Sequence, residues 1–261
     1  MRIERSRPPV LAASDIASNQ LLERLQSAQT HIHRHPMKKL EHIRPYQVLG
    51  VADEFPEEIR FFMPPAQGSG SLLSIESLLL IKLMRITKPK YLFEFGTYKG
   101  LTTRLLLANL PAVDGASGER IYTLDLPNLD DVHFQGTDVD LAREALGFER
   151  KYLGEHNRGL VKQILQDSMT FDGSEYAGKF QFIFIDGNHD VAYARRDTEN
   201  SLQMLSNEKG CLIWHDYGHA EFPELTQYIE DLGKEMDVFH VEHTKLAFHP
   251  RGFEIAPRNT P

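Results

Sequence analysis

Cysteine is almost missing from this chain: Cys211 is the one thiol in 261 residues. A lone thiol cannot close an intramolecular disulfide, which excludes a disulfide-built secreted scaffold and agrees with a reducing, cytoplasmic setting. Long hydrophobic runs are missing too. A membrane helix needs ~20 apolar residues, and the longest candidate, Leu78 to Met84, is broken by Lys82 and followed by Arg85. The opening MRIERSRPPVLAASD carries positive charge with no apolar run behind it, so no secretory signal is expected there. Positive charge does not dominate either: 29 Lys and Arg stand against 37 Asp and Glu, a net charge of −8. That balance argues against a protein that tracks nucleic-acid phosphates. The composition that remains, 41% hydrophobic and 10% aromatic, is globular.

The first seventy residues differ from the rest. Seven of the prolines fall there, and no strand pattern is sustained. Ile16, Leu21, Leu22, Leu25 and Ile32 recur at near-helical spacing behind Ser14 or Asp15 as cap, which predicts a helix from Ser14 to about Arg34, ended by Pro36. Residues 1–70 are therefore read as a helical and irregular arm, either a lid or the contact of a homo-oligomer, and 71–261 as the main domain. His31 and His35 in HIHRH would share a helix face, but without a carboxylate partner they read as a solvated face.

Beyond Ser71 the pattern changes. An apolar helix is expected over 72–86, then short apolar runs alternate with helical stretches: YLFEF (91–95), IYTLDL (121–126), VKQILQD (161–167), QFIFID (181–186) and CLIWHD (211–216). Such runs signal parallel strands buried on both faces and joined by helical crossovers. VFHVEHTKLAFH (238–249) reads as two more strands, an antiparallel ending with Thr244 and Lys245 near the connection. The expected fold is α/β: a doubly wound, Rossmann-like, mostly parallel seven-stranded sheet with an antiparallel C-terminal strand. In such sheets ligands bind at the carboxyl ends of the strands, near the point where strand order reverses. Those ends here are Glu94-Phe95-Gly96, Asp125, Asp167-Ser168, Asp186-Gly187 and His215-Asp216. So many carboxylates at strand ends are hard to explain by stability, because each must be solvated or paired.

FEFGTYKG (93–100) reads as strand, glycine turn and helix start. It is neither the dinucleotide fingerprint G-x-G-x-x-G nor a P-loop, since Lys99 precedes Gly100. With no pyrophosphate cradle and a carboxylate at 94, a cofactor of positive character is favoured over a plain βα turn. Asp125 sits where a carboxylate commonly accepts from ribose hydroxyls, though a turn before Pro127 would also account for it. Asp167 and Ser168 could contact an adenine or cap the next segment. IDGNHD (185–190) and IWHDYGH (213–219) place Asp186 and Asp216 at strand ends, each with a histidine, His189 and His215. Two carboxylates and an imidazole can hold a hard divalent cation or act as general base. The structural alternative is that His215 packs and Asp216 caps a helix. Cys211 reads as core, and Trp214 and Tyr217 as pocket wall or packing.

LFEFGTYKGLTTRLLLANL resembles motif I of class I S-adenosylmethionine-dependent methyltransferases. FIFIDGNHD with CLIWHDYG resembles the branch that holds macrocin-type O-methyltransferases and cephalosporin-hydroxylase-like proteins. The likeness covers about residues 72–250. It implies that Glu94, Gly96 and Thr97 lie against the methionine part of the cofactor, with Tyr98 and Gly100 shaping the turn. It further implies Asp125 on the ribose, Asp167 and Ser168 beside adenine, and Asp186 facing both cofactor and substrate. Metal-dependent relatives hold a divalent cation such as Mg2+ with the fourth-strand Asp and an acidic pair on the fifth strand. Here the corresponding set is Asp186, His215 and Asp216, with a histidine in place of one acid. The activity implied is O-methylation of a small molecule, a sugar or natural product, with Asp186, His189 or His215 taking the proton. Two rivals are a nicotinamide-dependent oxidoreductase, which the missing G-x-G-x-x-G opposes, and a non-catalytic cofactor-binding module.

Overall fold

The computed structural model describes residues 39–51, 58–62, 70–130, 137–147, 150 and 159–255. The helix expected over 14–34 and the HIHRH cluster lie outside them. All described residues belong to the second of two compact units, Lys38–Pro261.

Among the described residues, eight strands form one sheet: β1 (Glu41–Ile43), β2 (Leu92–Phe95), β3 (Ile121–Asp125), β4 (Val161–Leu165), β5 (Phe182–Ile185), β6 (Gly210–Trp214), β7 (Phe239–Val241) and β8 (Ala247–Arg251). Their order is β1-β7-β8-β6-β5-β2-β3-β4. All neighbours are parallel except those of β8, which runs antiparallel to both β6 and β7. The Rossmann-like sheet and its antiparallel C-terminal ending are as the apolar runs indicate. The difference is an eighth strand, β1, from within the stretch read as arm. Three residues with one buried side chain, Ile43, carry too short a period to be recognised.

Alternation along the central strands builds two cores. Phe93, Phe95, Tyr122, Leu124, Ile183, Leu212 and Trp214 point to one face, and Leu92, Ile121, Phe182, Phe184, Cys211 and Ile213 to the other. Cys211 is fully buried, as its apolar setting predicts. Trp214 packs as well, its indole N–H donating to the Thr198 hydroxyl at 2.8 Å. The second face is covered by α2 (Ser74–Thr87) and α3 (Leu101–Ala108), which follow the short α1 (Pro45–Leu49). In α2, Leu79, Leu80, Leu83 and Met84 are wholly buried, each worth roughly 1.5–3 kcal/mol of burial. Lys88 ends that helix in the left-handed region at φ 47°, and Pro89 forbids its continuation. The remaining α-helices among the described residues are α4 (Thr137–Leu146), α5 (Val191–Met204) and α6 (Pro223–Glu235). Asp190 caps α5 by accepting from the Ala192 N–H at 2.8 Å, and Pro223 opens α6 at a position where its missing N–H costs nothing.

From β2 the chain steps outward to β3 and β4, then returns to the other side of β2 for β5 and β6. The reversal falls between β2 and β5. There the backbones close tightly: a Cβ on Gly96, whose φ is +87°, would lie 2.0 Å from the Asp186 carbonyl oxygen. Only glycine fits this crossing.

Candidate active site

A cavity of about 510 Å³ opens at the carboxyl ends of β2 to β6, within the ~300–1,000 Å³ of small-molecule sites. Gly96, Tyr98, Asp125, Asp167, Ser168, Asp186, His189, His215 and Asp216 line it, so most of the residues singled out in the sequence are brought together. Glu94, Thr97 and Gly100 are not in its wall. Glu94 shares a face with Leu92 and turns toward α3, where its Oε2 accepts from the hydroxyls of Thr103 at 2.5 Å and Thr123 at 2.6 Å. Its Oε1 has no partner among the described residues. Burial pushes this carboxyl up to about 8, and the charges of Asp186 and Asp125 add to the effect against the two hydroxyl bonds. Thr97 bonds Thr123 and Gln163 behind the wall, and Gly100 starts α3 at φ 72°.

The turn after β2 is strained. Tyr98 is left-handed at φ 46°, and its N–H donates to Asp125 Oδ2 at 3.0 Å. The same oxygen accepts from Arg150 Nη1 at 2.9 Å, while Oδ1 accepts from the Leu126 N–H. Asp167 Oδ1 accepts from the Met169 N–H, and the Tyr193 hydroxyl reaches Oδ2 at 3.5 Å.

At the other side of the cavity the side chains form a chain of charges. His189 Nδ1 meets Asp138 Oδ1 at 2.6 Å and its Nε2 meets Asp216 Oδ2 at 2.9 Å. His215 Nδ1 lies 2.9 Å from Asp216 Oδ2 and 3.0 Å from Asp186 Oδ1, and its Nε2 lies 3.3 Å from Glu76 Oε2. Lys245 Nζ reaches Asp216 Oδ1 at 3.3 Å. The His189 ring stacks on Phe222, centroids 3.9 Å apart and planes within 1°. Burial opposes protonation of His189, but its bonds to Asp138 and Asp216 outweigh it and hold the imidazole at about 9. His215 is likewise raised well above the ordinary histidine value, burial being overcome by Asp186, Asp216 and Glu76. Asp216 is held well below the usual carboxylate range: burial would raise it, and the two imidazoles win. It sits left-handed at φ 57°, a strain of a kind found where surrounding structure fixes a functional residue.

Several participants were not singled out in the sequence. Glu76 lies in the first turn of α2, where Oε2 also accepts from the Leu73 N–H and Oε1 from the Lys245 N–H. Asp138 is in the first turn of α4, and Phe222 precedes α6. Asp197 on α5 also lines the cavity, although it is only 1% exposed. For Asp197 a signal existed: it occupies the helix face of Ala194, Thr198 and Ser201, all buried.

Residues 93–217 match a family model described as a methyltransferase domain. The matched stretch runs from within β2 to just past β6, the strands whose carboxyl ends open on the cavity. No curated protein matches the chain. Solved structures similar to it include the S-adenosylhomocysteine-bound methyltransferase PaMTH1 from Podospora anserina, 16% identical over 95% of this chain and 100% of that one, with a TM-score of 0.48. Others are the O-methyltransferase TomG from Streptomyces achromogenes (17%, 70% and 82%, TM-score 0.43) and a methyltransferase from Geobacter sulfurreducens (16%, 67% and 77%, TM-score 0.45). No helix among the described residues is long and apolar enough to cross a membrane.

Proposed function

We propose that this protein transfers the methyl group of S-adenosylmethionine to a hydroxyl oxygen of a small molecule, a sugar or another natural product. The observation that carries the reading is the gathering of Asp125, Asp167, Asp186 and Asp216 on one cavity beside the Gly96–Tyr98 turn. A cavity so acidic suits a cationic sulfonium and a hydroxyl-rich ligand better than a pyrophosphate. In this reading Gly96 and Tyr98 pass beneath the methionine part, with Glu94, Thr97 and Gly100 supporting the turn from behind. Asp125 holds the ribose hydroxyls, Asp167 and Ser168 flank the purine, and Asp186 stands between cofactor and acceptor.

With S-adenosylmethionine bound, the sulfonium would supply the methyl group to an in-line substrate oxygen, the carbon–sulfur bond breaking with its electron pair left on sulfur. The hydroxyl proton must leave as the new bond forms. Asp186 receives it; His215 orients Asp186, and His189 fixes Asp216 against it. The branch with macrocin-type enzymes fits this set because its fifth strand also ends in His-Asp or an acidic pair.

The donor set fits a hard divalent cation such as Mg2+. One ligand atom each from Asp186, His215 and Asp216 lies within 4.8 Å of the others. His215 turns Nε2 to Glu76 and leaves Nδ1 toward the two carboxylates, the arrangement by which an outer carboxylate fixes a metal-binding imidazole. A cation bound there supplies Lewis acidity that lowers the pKa of the acceptor hydroxyl.

Titration calorimetry tests the reading. S-Adenosylmethionine and S-adenosylhomocysteine should both bind and raise the melting temperature with concentration. Binding of neither ligand refutes it.

A further inference from the structure

Away from the cavity, two imidazoles meet across the edge of the sheet. β1 is an edge strand of three residues, and His42 at its centre is the register partner of His240 on β7. Their Nδ1 atoms lie 2.9 Å apart, with ring planes at 87° and centroids 5.1 Å apart. His240 Nε2 lies 2.9 Å from the Thr244 carbonyl oxygen. A carbonyl only accepts, so Nε2 carries the proton, and the neutral ring presents its Nδ1 lone pair to His42. The Tyr217 ring packs on His240, centroids 4.5 Å apart, and its hydroxyl donates to Glu230 Oε1 at 3.3 Å. Neither histidine lines the cavity.

We propose that His42 and His240 form a separate site for a late first-row transition ion such as Zn2+, which staples β1 to β7. The site is independent of the cofactor reading and of the Asp186, His215 and Asp216 set. At bonds of ~2.0–2.1 Å, a tetrahedral ion holds two ligand nitrogens about 3.3 Å apart, so the pair need open by only ~0.4 Å. The proton between the two Nδ1 atoms passes to His42 Nε2, and the ion meets two neutral rings. The Thr244 carbonyl does for His240 what an outer partner does for a metal-bound imidazole: it fixes the tautomer and the ring orientation. Imidazole nitrogens suit Zn2+, Ni2+ and Cu2+, whereas Mg2+ and Ca2+ take oxygen ligands. His42 is exposed, so water reaches the remaining coordination positions. The two ligands stand 198 residues apart in the chain. An ion shared between them therefore closes a long loop and secures a strand too short to hold well alone.

The test is Zn2+ titration calorimetry on the full chain, in wild type, His42→Ala, His240→Gln and the double variant. Wild type should bind one Zn2+ that each single variant binds at least about tenfold more weakly. Because the ion is shared, removing both histidines should cost about as much as removing one. Zn2+ should also raise the melting temperature of wild type more than that of either variant, while Mg2+ should not distinguish them. Two controls, His31→Ala/His35→Ala and Asp216→Ala, remove other ligand candidates and should keep this ion. His42 is exposed, so His42→Ala spares the core, and circular dichroism checks the fold of every variant. Equal Zn2+ affinity and stoichiometry in wild type and His42→Ala overturns the proposal, as does a wild type that binds no Zn2+. Loss of the ion in a folded control overturns it too. So does an equal drop in melting temperature with and without Zn2+, since the pair is then only a hydrogen bond between strands.

Discussion

Replacing Glu94 by glutamine should leave the protein's stability unchanged near pH 4.5 and raise it by several kcal/mol above pH 8. The reasoning is a proton linkage. Glu94 is wholly buried, and its carboxyl rises from an ordinary 4.5 to about 8, chiefly by desolvation. Below pH 4.5 the native and unfolded chains both hold the proton. Between 4.5 and about 8 the unfolded chain has lost it and the native chain keeps it, so unfolding releases a proton and stability falls as pH rises. Above about 8 both are ionised and the loss is complete. At ~1.4 kcal/mol per pH unit, the window removes about 5 kcal/mol, a large share of the ~5–15 kcal/mol typical of a domain. Glutamine has no proton to lose. Its carbonyl can accept from Thr103 and Thr123, and its amide takes the place of an oxygen that already has no partner among the described residues. Asp197, which burial raises to about 7, titrates in the same window. It is common to both proteins and cancels in the difference. Urea denaturation of wild type and Glu94→Gln from pH 4.5 to 9 gives that difference directly. A flat difference across the range would refute an unionised Glu94 at neutral pH.

Three further outcomes follow from the site. Gly96→Ala forces a Cβ onto the Asp186 carbonyl in a left-handed backbone, and should cost about 3 kcal/mol or more; a thermal melt unchanged within a few degrees would contradict the tight crossing. Asp125→Ala should fold normally yet bind S-adenosylhomocysteine about 10- to 100-fold more weakly, the loss of charge-assisted hydrogen bonds. Unchanged affinity by calorimetry removes Asp125 from the ribose role. Chelation should abolish methyl transfer, and added Mg2+ should restore it in wild type but not in Asp216→Ala; turnover that survives both treatments means that no cation takes part.

The strand ends were legible because each apolar run stops at a carboxylate, and a parallel sheet collects those ends on one edge. Glu94 shows how far that reasoning reaches. The family resemblance sets it against the cofactor, whereas in the structure strand alternation puts it with Leu92, opposite Phe93 and Phe95, on the face that α3 covers. The partners across the site left no such trace. Asp138 lies 51 residues from His189, Glu76 lies 139 from His215, and Lys245 lies 169 from Glu76. Their meeting depends on which helix end packs over which strand end, and local periodicity contains nothing of that.

Those long-range partners are what make an acidic strand edge compatible with a stable fold. Asp125 has Arg150, and Asp216 has His189, His215 and Lys245. Against that pattern, two buried carboxylates among the described residues keep an oxygen without a partner there, and their surroundings differ. Glu94 is enclosed by packed strand and helix, so its deficit is met internally by keeping its proton. Asp197 stands at the cavity wall, yet its unpartnered oxygen is closed to solvent as well, and burial raises its carboxyl to about 7. Both carboxyls therefore hold their proton toward the neutral range, and each withdraws stability as pH climbs from its ordinary value to its raised one.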